Sequence, residues 1–348
     1  MSSDGRIITV GQNSGQLIVS TDYGRSWTSK GDSNAWYGVT MSADGKIQTA
    51  AAYFGNLSVS TDYGNTWVNK GYTAGWYSVA MSSDGKIQTA ANASNDRLFV
   101  STDYGNTWTA KGSTGNWRDV AMSSDGRIQI ATNYSDKLYV STDYGNTWIA
   151  KGNTGQWSTV AMSSDGKIQT AGNQSGTLYI SYDYGNTWTA KGSTGTWRDI
   201  AMSSDGKIQA AGDWSGYMYI STDYGQNWVA KKSATWGGVA MSGDGKIIAG
   251  TSYSDQVYVS YADSITNGNV NVLGTFNSSR LCGTRFIAMA LGSMNGNSVA
   301  GNTTALSGND VTYSCVTCMN TTYNQQSCTT VPPAGVKYYC HMKVTCNT

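Results

Sequence analysis

The chain contains no glutamate: all 22 of its acidic residues are aspartate. It has one histidine, His341, and two prolines, Pro332 and Pro333. Chemistry that needs a histidine base, a glutamate nucleophile or several histidine ligands has almost nothing to work with, so no metal or cofactor is expected. Charge is sparse and balanced, with 23 basic against 22 acidic residues and a net charge of +1, and no block of basic residues occurs. A nucleic-acid partner is therefore not expected. No apolar run approaches the ~18 residues of a membrane span. The opening MSSDGRIITV lacks a basic start followed by a long apolar stretch, so no signal peptide is read there.

What the chain has in abundance is repetition. Ser-x-Asp-x-Gly-x-x-Trp occurs six times, from Ser20, Ser60, Ser101, Ser141, Ser181 and Ser221, with its aspartates at Asp22, Asp62, Asp103, Asp143, Asp183 and Asp223. Met-Ser-x-Asp-Gly-Lys/Arg-Ile keeps the same beat, from Met1, Met41, Met81, Met122, Met162, Met202 and Met241. A period of about 40 residues is the signature of one supersecondary unit repeated.

Each unit reads as four short strands. In residues 76–115, Trp76 to Met81 is a β-prone run. Asp84-Gly85 between apolar runs marks a hairpin. Ile87 to Ala91 is the second strand, Asn92 to Asp96 a polar loop, and Arg97 to Ser101 the third strand. The aspartate motif turns the chain, and Trp108 begins the fourth strand. No segment shows helical periodicity. The fold class is thus all-β: a seven-bladed β-propeller of four-stranded antiparallel blades, which as a closed ring leaves only protected edges.

The aspartate motif resembles the Asp-box, or BNR repeat, of sialidase-like β-propellers. Four copies also match its threonine, at Thr66, Thr107, Thr147 and Thr187. The resemblance covers about three quarters of the chain. It implies that the motif is a structural turn between third and fourth strands, on the face opposite any active site. The residues agree: aspartate accepts backbone N–H groups, glycine supplies a positive φ, and tryptophan packs between sheets.

The first repeat begins at its second strand. Thr284 to Ala290 echoes Trp197 to Ser203, so residues 285–290 are expected to supply the missing innermost strand and 268–276 the outer strand of the last blade. The propeller then spans 1–290, and 291–348 form a small cysteine-containing C-terminal module. All six cysteines lie late in the chain: Cys282, Cys315, Cys318, Cys328, Cys340 and Cys346. Disulfides are expected, which implies an oxidising location. Zinc on Cys315-x-x-Cys318 and free thiols are the alternatives.

Sialidases use an arginine triad, a tyrosine–glutamate couple and an aspartate acid, with an Arg-Ile-Pro motif. This chain has no glutamate and no such motif, so no catalytic residues are assigned. A glycoside hydrolase would have to use aspartates at the channel mouth, where Arg118-Asp119 and Arg198-Asp199 begin innermost strands. Adjacent residues of opposite charge read first as ion pairs.

The turns hardly change between repeats, whereas the loops joining second and third strands do. These loops share the opposite rim and hold Asn, Asp, Ser and aromatic residues suited to sugars. The candidate ligand-binding residues are Trp214, Tyr134, Tyr253, Asp213, Arg118 and Arg198. Asn92, Asn133 and Asn173 also begin glycosylation sequons. The near-identical repeats resemble those in predicted proteins of large DNA viruses. The expected function is a non-catalytic surface or adhesion component of a virion or extracellular surface, with glycans and other virion or surface proteins as partners. A glycoside hydrolase and an assembly scaffold like plastid photosystem-assembly propellers are the alternatives.

Overall fold

The computed structural model describes residues 1–252, 256–261 and 275–277, and the backbone of 311–320, 325–326 and 338–346. The chain divides into two units, Met1–Ser278 and Ser279–Thr348.

The first unit is all-β and propeller-like. Its third repeat shows how the sequence builds it. Strands Val68–Met81, Gln88–Asn92, Asp96–Ser101 and Thr109–Gly115 pair in sequence order, each antiparallel to the last. Successive side chains of a strand point to opposite faces. Phe99 packs with Ala51, Leu57, Trp76 and Val79, while its neighbour Leu98 packs with Ala80, Trp117, Val120 and Ala131. One strand therefore feeds two cores, one on each side of its sheet, which is why it reads as a continuous apolar run. The tryptophans that open the second to seventh repeats are all buried: Trp36, Trp76, Trp117, Trp157, Trp197 and Trp236. Each of the last five meets an aromatic ring of the third strand edge-on, as Trp117 meets Tyr139 with centroids 5.0 Å apart.

The first repeat has three strands, Ile8–Val10, Gly15–Ser20 and Thr28–Asn34. Its proposed closing segment, 285–290, lies outside the described residues. Of the expected outer strand at 268–276 only the end is described: Thr275–Asn277 pairs with Gln256–Tyr261. Some expected loops are instead bends within long strands. Gln48–Ser60 and Gln129–Ser141 carry the chain from second to third strand without a break, through register shifts at Tyr53/Gly55 and Tyr134/Asp136. Bulges of this kind leave a residue unpaired and bend the strand, so the chain reverses without leaving it.

The Asp-Gly turns join the repeats end to end. Ser3 N–H donates to Ala43 O, Ala43 to Ser83, Ser83 to Ser124, Ser124 to Ser164, Ser164 to Ser204, Ser204 to Gly243, and Gly243 back to Ser3, at 2.7–2.9 Å. These hydrogen bonds close a cycle around an axial cavity of about 180 Å³. A second device runs between neighbouring sheets. Gln48, Gln88, Gln129 and Gln209 are fully buried, and each donates Nε2–H to the glycine carbonyl of its own Asp-Gly turn. Each accepts at Oε1 from a threonine of the preceding repeat: Thr9, Thr49, Thr89 and Thr170. Buried amides need both bonds, and these pairs supply them.

In the second unit, Val311–Asn320 pairs antiparallel with Tyr338–Cys346 and with Gln325–Gln326. The register places Cys318 opposite Cys340. Cys282 and Cys328 lie outside the described residues.

Candidate functional site

The two turn types of a repeat share one rim, tied by bonds such as Tyr63 N–H to Lys46 O at 3.1 Å. In the six Asp-Tyr-Gly turns the aspartate is fully engaged. Asp103 Oδ1 accepts from Ser101 Oγ and Thr107 N, and Oδ2 accepts from Thr107 Oγ1 at 2.7 Å. Asp22, Asp62, Asp143, Asp183 and Asp223 repeat the arrangement. Partial burial alone would raise these carboxyls, but the hydrogen bonds prevail and hold them below the ordinary carboxylate range. The tryptophan closes the turn by donating Nε1–H to the glycine carbonyl, as Trp108 does to Gly105 at 3.1 Å. Sequence reasoning assigned the positive φ to glycine alone. The preceding tyrosine shares it: Tyr23, Tyr63, Tyr104, Tyr144, Tyr184 and Tyr224 have φ of 61–64°.

The opposite rim carries the expected ligand-binding residues. Arg118 and Arg198 follow the buried Trp117 and Trp197 on innermost strands. The expected ion pairs with Asp119 and Asp199 do not form, because neighbours on a strand point apart. Ion pairs among the described residues include Arg6–Asp4, Arg127–Asp125 and Lys246–Asp244. The Arg118 guanidinium instead lies 4.6 Å from the Tyr77 ring centroid and 5.0 Å from that of Tyr134. The Arg198 guanidinium lies 4.4 Å from the Trp214 ring. Both Nε atoms are buried without a hydrogen-bond acceptor.

Sequence reasoning missed the rest of this cluster. Tyr77 continues to Tyr37, with centroids 5.0 Å apart; Tyr37 stacks on Tyr53 at 4.8 Å, and Tyr53 meets Phe54 at 4.1 Å. The cluster spans three repeats, so no single repeat displays the whole of it.

Asp213 braces the loop it sits in. It is buried, and Oδ1 accepts from Thr196 N, Ser215 N and Ser215 Oγ. Asn133 braces its own loop in the same way, accepting from Asn116 N. The sequon asparagines Asn92 and Asn133 are buried, which leaves no room for a glycan on either. Tyr253 lies outside the described residues.

Asp119 and Asp199 brace the innermost strands. Asp119 Oδ1 accepts from Ser78 Oγ at 2.6 Å and Val120 N; Oδ2 accepts from Val160 N of the next repeat. Asp199 accepts from Ile200 N and, across the junction, from Val239 N at 2.7 Å. Both are deep in the protein yet keep some accessible surface, which sets them against the lumen. Burial raises both carboxyls. Asp199 is pushed up to about 8, with the charge of Asp119 adding to the effect of burial.

Two solved structures decide the fold. The β-propeller domain of Myceliophteria thermophila Cps50 (Swd1) superposes with a TM-score of 0.58 over 73% of this chain and 91% of that one, at 12% identity. YCF48 bound to D1 peptide superposes with a TM-score of 0.56 over 72% of this chain and 87% of that one, also at 12% identity.

The fold is that of a β-propeller.

At that identity the likeness is one of architecture. No family model and no curated protein matches the sequence. The propeller's turn rim is built for rigidity. Its loop rim carries aromatic rings and two arginines whose buried Nε atoms lack an acceptor, and no metal-ligating cluster of His, Cys or Asp occurs among the described residues.

Proposed function

We propose that this chain is a non-catalytic, seven-bladed binding propeller with six Asp-box turns, whose loop rim takes the ligand. One observation carries the reading. The guanidinium groups of Arg118 and Arg198 lie over aromatic rings with buried Nε atoms lacking an acceptor, while the aspartates beside them are spent on backbone N–H groups. A hydrolase needs a carboxylate free to move a proton at the substrate. Asp119 and Asp199 have each oxygen engaged by a hydrogen-bond donor, one of them from the next repeat. The cycle of Asp-Gly turns supports the blade number, and the six aspartate turns support the Asp-box kinship. Placement on a virion or another extracellular surface draws on the resemblance of the repeats to viral ones.

A panel of fluorogenic glycosides tests the reading directly. No turnover is expected with the wild-type chain. Turnover that disappears in Asp119→Asn would overturn it.

A further inference from the structure

The aromatic strip of the second to fourth repeats asks for an occupant. Phe54 is 70% exposed and has a φ of 57°. The left-handed region costs a residue with a Cβ roughly 1–2 kcal/mol, and a solvent-exposed ring recovers little of that from folding. The third and fourth repeats place Asn95 and Ser135 in that conformation, residues that are polar and small. Phe54 is thus poorly chosen for the fold and well placed for contact.

The strip's geometry narrows the ligand. Interplanar angles of 22°, 68° and 53° run along Tyr53–Tyr37, Tyr37–Tyr77 and Tyr53–Phe54. Tyr37 and Tyr53 form a stacked pair, and Tyr77 and Phe54 meet that pair at steep angles, a mixed arrangement that an incoming aromatic side chain extends edge to face. A sugar chain is better served by a coplanar platform. At the end of the strip, Arg118 lies against Tyr77 and Tyr134, and its Nε–H has no acceptor. A planar guanidinium held this way is preorganised for a carboxylate. Tyrosine and arginine side by side are also the composition that dominates binding energy in protein interfaces.

We propose that this strip binds an extended protein segment carrying an aromatic side chain next to a carboxylate, an inference that rests on the binding reading above. The probe is a fluorescent random Glu–Tyr copolymer, with polyglutamate and polygalacturonate as comparison polymers, read by anisotropy. Saturable binding of the copolymer is expected, weakened about tenfold by Arg118→Gln and by Phe54→Gly. Glycine suits the positive φ at that position, so Phe54→Gly should melt no lower than the wild type. Equal binding of polyglutamate, a preference for polygalacturonate, indifference to Phe54→Gly, or no binding at all would each overturn the proposal. None of these outcomes alters the glycoside result, which tests the parent reading separately.

Discussion

Gln169 buries its side-chain oxygen without a hydrogen-bond partner because Ile130 stands where the matching repeats place threonine. Thr9, Thr49, Thr89 and Thr170 each donate to the buried glutamine of the following repeat; Ile130 has no hydroxyl to give. Elsewhere both partners have changed together. At the junction of the sixth and seventh repeats, Ala210 and Ile248 occupy the two positions, and both are buried.

The near-isosteric Thr89→Val orphans Gln129 Oε1 and should cost about 1–3 kcal/mol in denaturant unfolding. Ile130→Thr supplies the missing donor but gives up buried apolar volume, so its net effect should lie within about 1 kcal/mol of zero.

A second co-change links Lys232 to a missing tryptophan. Gly31, Gly71, Gly112, Gly152 and Gly192 have positive φ and lie beneath the turn tryptophan of the following repeat. A Cβ on Gly192 would sit 3.1 Å from Trp228 Cδ1. The seventh repeat has no such tryptophan, and Lys232 fills the glycine position, its ammonium 5.6 Å from the Tyr258 ring. Gly192→Ala should therefore lower stability by about 1–3 kcal/mol, whereas Lys232→Gly should change it by less than about 1 kcal/mol. Thermal melts of the two variants decide this.

The turn aspartates and Asp199 pull the pH profile in opposite directions. The folded state holds Asp103 and its counterparts below the ordinary carboxylate range, so their contribution is complete above about pH 4 and fades as pH falls through the folded values. Asp199 is raised to about 8, so the folded state retains a proton that the unfolded chain has released. Its contribution is complete below the ordinary range, about pH 4, and is lost as pH rises towards the folded value. Asp199→Asn should flatten the fall in melting temperature between about pH 4 and 8 and leave the more acidic limb unchanged.

Removing one turn aspartate leaves several donors without an acceptor. Asp143→Ala should cost about 1–3 kcal/mol. Tyr144→Gly in the same turn should cost far less, since glycine adopts the left-handed conformation freely. Chemical denaturation of both variants provides the check.

The local parts of this architecture were legible in the repeat. Asp84-Gly85, the Ser101–Trp108 turn and the Trp76 strand start are short-range patterns, and the structure places them on the hairpins and strands they suggest. The Gln88–Thr49 bond and the Arg118–Tyr77 contact join different repeats, about 40 residues apart in the chain, so their meaning appears only once sheets are stacked. Arg118 and Asp119 misled for the same reason: proximity in sequence suggested an ion pair, whereas the strand sends one to the rim and the other to the innermost strand of the next repeat. Trp214 stood out because it broke the pattern, and the structure lays it against Arg198.

On the proposed function the two rims divide labour: one set of turns holds the ring, and the other rim binds. Hydrogen–deuterium exchange with and without the Glu–Tyr copolymer tests it most directly. Protection is predicted in peptides covering Tyr37, Tyr53 to Gly55, Tyr77 and Arg118, with no change in those covering the Asp-Tyr-Gly turns. Protection confined to the turns, with the loop rim unaltered, would contradict it.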